Sequence, residues 1–223
     1  MSKKLFVQAF SKFILGVILV GIFVFLPAGT ISFFQGWLFM GVLFIPIFIA
    51  GIVMMIKSPE LLKKRLNAKE KQKEQDVVVK LSGLIFLLGF ISAGLNYRFD
   101  FYVLPKGVSI GAAAVFIAAY LIYAEVMREN AYLSRTIEVQ ENQKVIDSGL
   151  YGTVRHPMYF ATVLLFLAIP LILGSLVSFI IFLAYPFVIA KRIKHEEALL
   201  EKELEGYSEY KSKVKYRMIP FIW

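Results

Sequence analysis

The sequence holds no cysteine and only two histidines in 223 residues. The first absence excludes disulfides, thiolate catalysis, cysteine-ligated zinc and iron–sulfur clusters. The second leaves too few imidazoles for a histidine-rich site, so no metal is expected. Charge is scarce as well: 18% of residues are charged and 58% hydrophobic, against about 25% and about 45–50% in soluble domains. No charge at all interrupts Phe13 to Ile56. With a mean hydropathy of +0.69, the composition describes a chain that dissolves in lipid and meets water mainly at its loops. In a soluble protein the net charge of +9 would suggest nucleic acid, but its placement along this chain points to a membrane and to no nucleic-acid partner.

Phe13 to Leu26 opens the first apolar stretch, broken by Pro27 and Gly29, and Gly36 to Ile56 supplies a second. Leu81 to Tyr97 and Gly107 to Ala124 follow, giving four expected spans. The last apolar block, Tyr159 to Ala190, would measure about 48 Å as one straight helix against a hydrocarbon core of about 30 Å. It is therefore expected to fold back at Gly174-Ser175, just after Pro170, into arms Tyr159–Leu173 and Leu176–Ala190. The fold class is an all-α integral membrane protein with four transmembrane helices and a C-terminal helical hairpin. Residues 1–127 form the four-span region, with a basic loop at 57–80, and residues 128–223 form the region that includes hairpin 159–190. There is no internal repeat or heptad run.

Of the 25 Lys and Arg, all but Arg98 and Lys106 fall on one side of this arrangement. The positive-inside rule then places both termini and the two large loops in the cytoplasm of a multi-pass protein. The stretch Leu61-Leu62-Lys63-Lys64-Arg65-Leu66 reads first as an interfacial segment held by anionic headgroups, and second as a neighbour of the active site.

Polar residues crowd into the two stretches that flank the hairpin. Because a hairpin brings its ends together, Arg155-His156-Pro157-Met158-Tyr159 and Arg192-Ile193-Lys194-His195-Glu196-Glu197 are expected to be spatial neighbours. Each residue also has a plainer reading. Arg192 and Glu196 are spaced as an i, i+4 ion pair, His156 before proline suits a helix cap, and Arg155 suits a membrane anchor. Tyr207 and Tyr210 share one helical face with Leu200 and Leu204 and read as packing, and Asp147-Ser148-Gly149 reads as an ordinary turn.

The ordered series Gly149-Leu150-Tyr151, Arg155-His156-Pro157-Met158-Tyr159, an apolar hairpin, Arg192-x-x-x-Glu196-Glu197-x-x-Leu200, Tyr207-x-x-Tyr210 and Arg217-x-x-Pro220 resembles the isoprenylcysteine carboxyl methyltransferase family. Related membrane methyltransferases acting on phospholipid amines or thiols share several of these elements. The resemblance implies that S-adenosylmethionine binds in a cytoplasmic cavity of the C-terminal region, and that a lipophilic acceptor enters sideways from the bilayer. By position it assigns Gln140, Gln143, Lys144, Val145 and Ile146 to one cofactor wall. Tyr151, His156, Pro157, Met158 and Tyr159 match the stretch that wraps the cofactor, and Glu196 matches a cofactor-binding carboxylate. Arg192 matches the catalytic arginine that meets the acceptor, with Arg155, Glu197 and Tyr210 as supporting residues. The implied activity is methyl transfer to a membrane-embedded acceptor, such as the carboxylate of a prenylated cysteine or a related small or lipid molecule. Should the acceptor be an amine, Glu197 or His195 would be the first proton acceptors to consider. Two other classes stand beside this: an NADPH-dependent membrane reductase of the sterol-reductase kind, and a nonenzymatic membrane protein that gathers lipid on its basic loop.

Overall fold

The structure, a computed structural model, describes residues 3–67, 73–130, 132–133 and 139–223. Helices α1 (Lys3–Ala28) and α2 (Phe34–Lys57) are followed by a short basic helix, α3 (Pro59–Asn67), and then by α4 (Lys73–Phe99) and α5 (Lys106–Glu129). After the polar stretch come α6 (Pro157–Ile172), α7 (Leu176–Phe182), α8 (Tyr185–Glu203) and α9 (Tyr207–Lys213). Among the described residues no strand forms beyond an isolated bridge between Val103 and Ser175. Five stretches are long and apolar enough to cross a membrane: Lys4–Ala28, Phe34–Lys57, Asp76–Phe99, Lys106–Glu129 and Leu176–Glu203. The four expected spans are thus all helical, and each helix runs past the uncharged stretch that announces it. Parts of the 57–80 and 128–155 loops, residues 68–72, 131 and 134–138, lie outside the described residues.

Local chemistry explains where the helices stop. Pro27 sits inside the last turn of α1 instead of ending it. Termination falls to Gly29, whose φ of +68° lets its N–H bond back to the carbonyls of Phe25 and Leu26, each at 3.1 Å. Gly174, at φ +71°, makes the hairpin turn where the sequence puts it. Ser175 then caps α7 by accepting from the Ser178 N–H at 3.1 Å. The second arm differs from expectation. It is not one helix to Ala190 but two, because Pro186 has no N–H to continue the ladder. The chain breaks at Leu183-Ala184, and α8 resumes and runs on to Glu203.

Helix α6 is the centre of the bundle. It packs against α2, α4, α5, α7 and α8, and it buries Tyr159, Ala161, Val163, Leu165, Ala168, Ile169 and Ile172 around most of its circumference. Its sequence is apolar all round, as a helix without a solvent face must be. At about 24 Å it is shorter than the hydrocarbon core, and its burial in protein makes that length tolerable. Small residues let the outer helices close on it. Ala112, Ala113 and Ala119 of α5 are buried. On α4, a methyl group at Gly94 would come within 2.8 Å of Val24 O on α1, and one at Gly89 would overlap the ring of Phe182 on α7. Ser178 Oγ also donates to Gly89 O at 2.9 Å. Close approach at small residues is how helices gain contact where lipid competes for every apolar surface. The basic helix α3 packs against α2 and α1 with Leu62 buried, and Arg65 Nη1 reaches α5, donating to Tyr123 Oη at 3.3 Å.

Gly89→Ala is expected to lower the thermal midpoint in detergent by an amount equivalent to about 1–3 kcal/mol, because Phe182 is fully buried and cannot yield. Gly41→Ala, where an added methyl meets nothing within 4 Å, should leave the midpoint unchanged or raise it.

Candidate functional site

The site is assembled where α6 begins. Pro157 occupies the first turn of α6, where a missing N–H is harmless. His156, at the N-cap, makes no side-chain capping bond, so its imidazole is turned elsewhere. Just upstream, Gly149 opens a 3-10 turn at φ +58°, and a methyl group there would overlap the Glu129 carboxylate, which accepts from Leu150 N–H at 3.0 Å. The stretch read as an ordinary turn is therefore a fitted one. It fixes Tyr151, whose hydroxyl accepts from Asn130 Nδ2 at 2.9 Å and whose carbonyl accepts from the Tyr210 hydroxyl at 2.8 Å. Burial pushes the Tyr151 phenol up to about 12, so it stays protonated at neutral pH.

The hairpin does bring its two ends together. Glu197 on α8 is 3% exposed and accepts from Arg155 Nε at 2.7 Å and from Arg217 Nε at 2.9 Å. His156 Nε2 lies 3.2 Å from the same carboxylate. The Arg155 guanidinium goes on to donate to the carbonyls of Val214 and Lys215, at 2.6 and 2.9 Å. Backbone bonds from Arg155 N–H to Tyr216 O and from His156 N–H to Arg217 O, at 2.9 and 2.7 Å, complete a strap of residues 214–217 across the start of α6. Arg155 is a buried partner here, not a membrane anchor. With this many donors aimed at it, Glu197 is poorly placed to take a proton from an amine substrate.

One turn away, Glu196 and Arg192 meet through Tyr159. Its hydroxyl donates to Glu196 Oε2 at 2.5 Å and accepts from Arg192 Nε at 2.9 Å. The two α8 residues are thus linked through a residue of α6, not only by their spacing along one helix. They face a cavity that is also lined by Gln143, Lys144, Val145, Ile146, Tyr151, Arg155, His156, Met158, Tyr159 and Tyr210. Most residues singled out from the sequence therefore share one space. Three of those that the resemblance assigns to the cofactor or its support are not among the described residues that line it. Gln140 braces the wall from behind, its side-chain amide donating to Tyr132 O at 2.6 Å and its N–H to Gln143 Oε1 at 2.8 Å. Pro157 sets the start of α6, and Glu197 holds the strap.

The cavity also takes in Asn130, Tyr132, Leu133, Leu200, Leu204 and Tyr207. The two leucines could have been found by extending the four-residue step that joins Arg192 to Glu196. Tyr207 does not share a helix with them. Gly206, at φ +81°, separates α8 from α9, so the expected single face of Leu200, Leu204, Tyr207 and Tyr210 is a bent corner, packed against Val139 and Val145. Among the described residues no cluster of acidic, histidine or cysteine side chains could hold a metal ion.

Truncating Glu197 leaves the buried Arg155 cation without its carboxylate, so Glu197→Ala is expected to cost about 3–5 kcal/mol of stability. Glu196→Ala, which leaves that network intact and removes only the acceptor of the Tyr159 hydroxyl, should cost less, about 1–3 kcal/mol. Detergent melts followed by circular dichroism separate the two.

Two comparisons with known proteins bear on this geometry. The chain is 30% identical over 91 residues to the mouse Delta(14)-sterol reductase TM7SF2, a match that covers 40% of this chain and 22% of that protein. Residues 110–202 match the model of the isoprenylcysteine carboxyl methyltransferase (ICMT) family. That region holds most of α5, all of α6 and the Arg192 to Leu200 stripe of α8. The matched residues carry both halves of the Arg192–Tyr159–Glu196 linkage, so the likeness to the isoprenylcysteine carboxyl methyltransferase family falls on the part of the chain that forms the site.

Proposed function

We propose that the cavity binds S-adenosylmethionine and that the protein methylates a lipophilic, anionic acceptor dissolved in the membrane, with cavity and both termini on the cytoplasmic side. The observation that carries this reading is the Tyr159 hydroxyl, which joins the residue matched to the cofactor, Glu196, to the residue matched to the acceptor, Arg192. The donor set fits the ligand chemically. The Glu196 carboxylate suits an ammonium, Lys144 and His156 suit a carboxylate, and the tyrosine rings suit a sulfonium. When bound, S-adenosylmethionine supplies an electrophilic methyl group on a sulfonium, which leaves as a neutral thioether as the acceptor's lone pair bonds to the carbon.

The chain's own part is positioning and desolvation. Arg192 holds a carboxylate or thiolate by its planar fork, and Tyr159 fixes the Arg192 Nε edge. An acceptor that arrives as an anion needs no base, which agrees with a site whose buried carboxylate, Glu197, is already bonded to Arg155 and Arg217. The reductase match supports a second reading, in which the cavity takes NADPH. Isothermal titration with both nucleotides decides: micromolar NADPH binding without S-adenosylmethionine binding would overturn the methyltransferase reading.

Arg192→Lys keeps the charge and loses the fork, so turnover is expected to fall at least about tenfold while S-adenosylmethionine affinity stays within about twofold. Methyl transfer from labelled cofactor into membrane extract, with titration of the same preparation, reads both. Near-normal turnover removes Arg192 from its assigned role.

The proposed orientation has its own check. The chain has no native cysteine, so a single cysteine replacing Asp100, in the α4–α5 turn, should react with an impermeant maleimide added outside intact cells. Labelling only after the cytoplasmic face is opened would invert the topology.

A further inference from the structure

Tyr207 lines the cavity and is 4% exposed. Its hydroxyl is buried and has no hydrogen-bond partner among the described residues. The other tyrosines of the same cavity are all satisfied: Tyr132 bonds to Asn142 O, Tyr151 to Asn130, Tyr159 to Glu196 and Arg192, and Tyr210 to Tyr151 O. A buried hydroxyl left unpaired loses its water and gains nothing in return. Such a group beside a cavity is one whose partner arrives with a ligand.

The cavity is also polarised along its length. Arg192, Glu196 and Leu200 step along α8 at four-residue intervals and Leu204 caps its C-terminal end, so their row spans about 18 Å. It begins with a cation and an anion and ends with two leucines. Tyr207 stands beside the two leucines, on the far side of the Gly206 turn, where Leu204, Tyr207 and Tyr210 pack against Val145, with its hydroxyl still within electrostatic reach of Glu196, Glu197 and Arg155. A ligand with an ionic amino-acid end and a flat heteroaromatic end matches this gradient in one direction only. Glu196 would hold the ammonium, and Leu200 and Leu204 would carry the ring.

Building on the reading of the cavity as an S-adenosylmethionine site, we propose that Tyr207 is its purine-reading residue, donating its hydroxyl proton to a ring nitrogen of the adenine that lies against Leu200 and Leu204. Burial holds the phenol above its ordinary range, so the proton is present to be donated at neutral pH.

The experiment uses full-length wild type and Tyr207→Phe in detergent, with two probes. S-adenosylmethionine carries both ends, whereas 5′-methylthioadenosine keeps the nucleoside and lacks the amino-acid end. In the absence of ligand, Tyr207→Phe should melt at or above the wild-type temperature, because it deletes a polar atom that has no partner. Its affinity for both probes should fall by about fivefold to tenfold, the loss of one hydrogen bond. Stability and affinity thus move in opposite directions, which a packing role would not produce. If wild type binds S-adenosylmethionine and the variant binds it equally well, Tyr207 is not a ligand contact although the site reading stands. Loss for S-adenosylmethionine alone, or no binding of methylthioadenosine by wild type, refutes the purine assignment. A lowered ligand-free melting temperature shows the hydroxyl already bonded and overturns the proposal. Absence of S-adenosylmethionine binding in wild type fails the site reading itself.

Discussion

A single buried carboxylate, Glu197, ties the C-terminal half together. It draws Arg155 from the start of α6 and Arg217 from the tail to one point on α8, and the remaining donors of Arg155 close on carbonyls of the same tail. Such an arrangement gains little over an apolar substitute, since desolvation consumes most of the attraction. What it provides is position: three segments distant in sequence meet in one register beside the cavity.

The bundle supplies the platform. A short central helix wrapped by other helices has both of its ends defined by protein, so the polar turn at Arg155–Pro157 emerges at a fixed height. Gly89 and Gly94 admit neighbours on two sides of α4, and the alanines of α5 admit α6. The bulk of the lipid-facing surface is left to α1 and α2, where Leu15, Ile18, Ile45 and Ile56 point outward. These two helices contribute little to the cavity, and the residues gathered around it all come from the region after α5.

Much of this was legible in the sequence. Hydropathy located the four long helices, Gly174-Ser175 located the hairpin turn, and hairpin geometry alone brought Arg155 and His156 beside Glu197. The departures have particular causes. Pro186 breaks the second arm, and nothing in the apolar run marks the missing N–H other than the proline itself. Gly206 bent the corner at Tyr207 where spacing suggested a continuous face. Gln140 lies behind the wall because the loop between it and Gln143 curls on its own hydrogen bond. The 214–217 strap uses backbone carbonyls, which every residue possesses, so no side-chain pattern announces it.

The strap also dictates an order of events during synthesis. Arg155 is bonded to residues 42 to 60 positions downstream, and those residues follow the hairpin in the chain. At translation rates of about 5–20 residues per second, the guanidinium waits several seconds after it is made before its carboxylate and carbonyls exist. During that interval α6 has its apolar neighbours α2, α4 and α5 already in place, but a bare cation at its mouth. The partners of that cation arrive in two instalments, the Glu197 carboxylate with α8 and the carbonyls of Val214 and Lys215 with the tail, so the mouth of α6 is completed last.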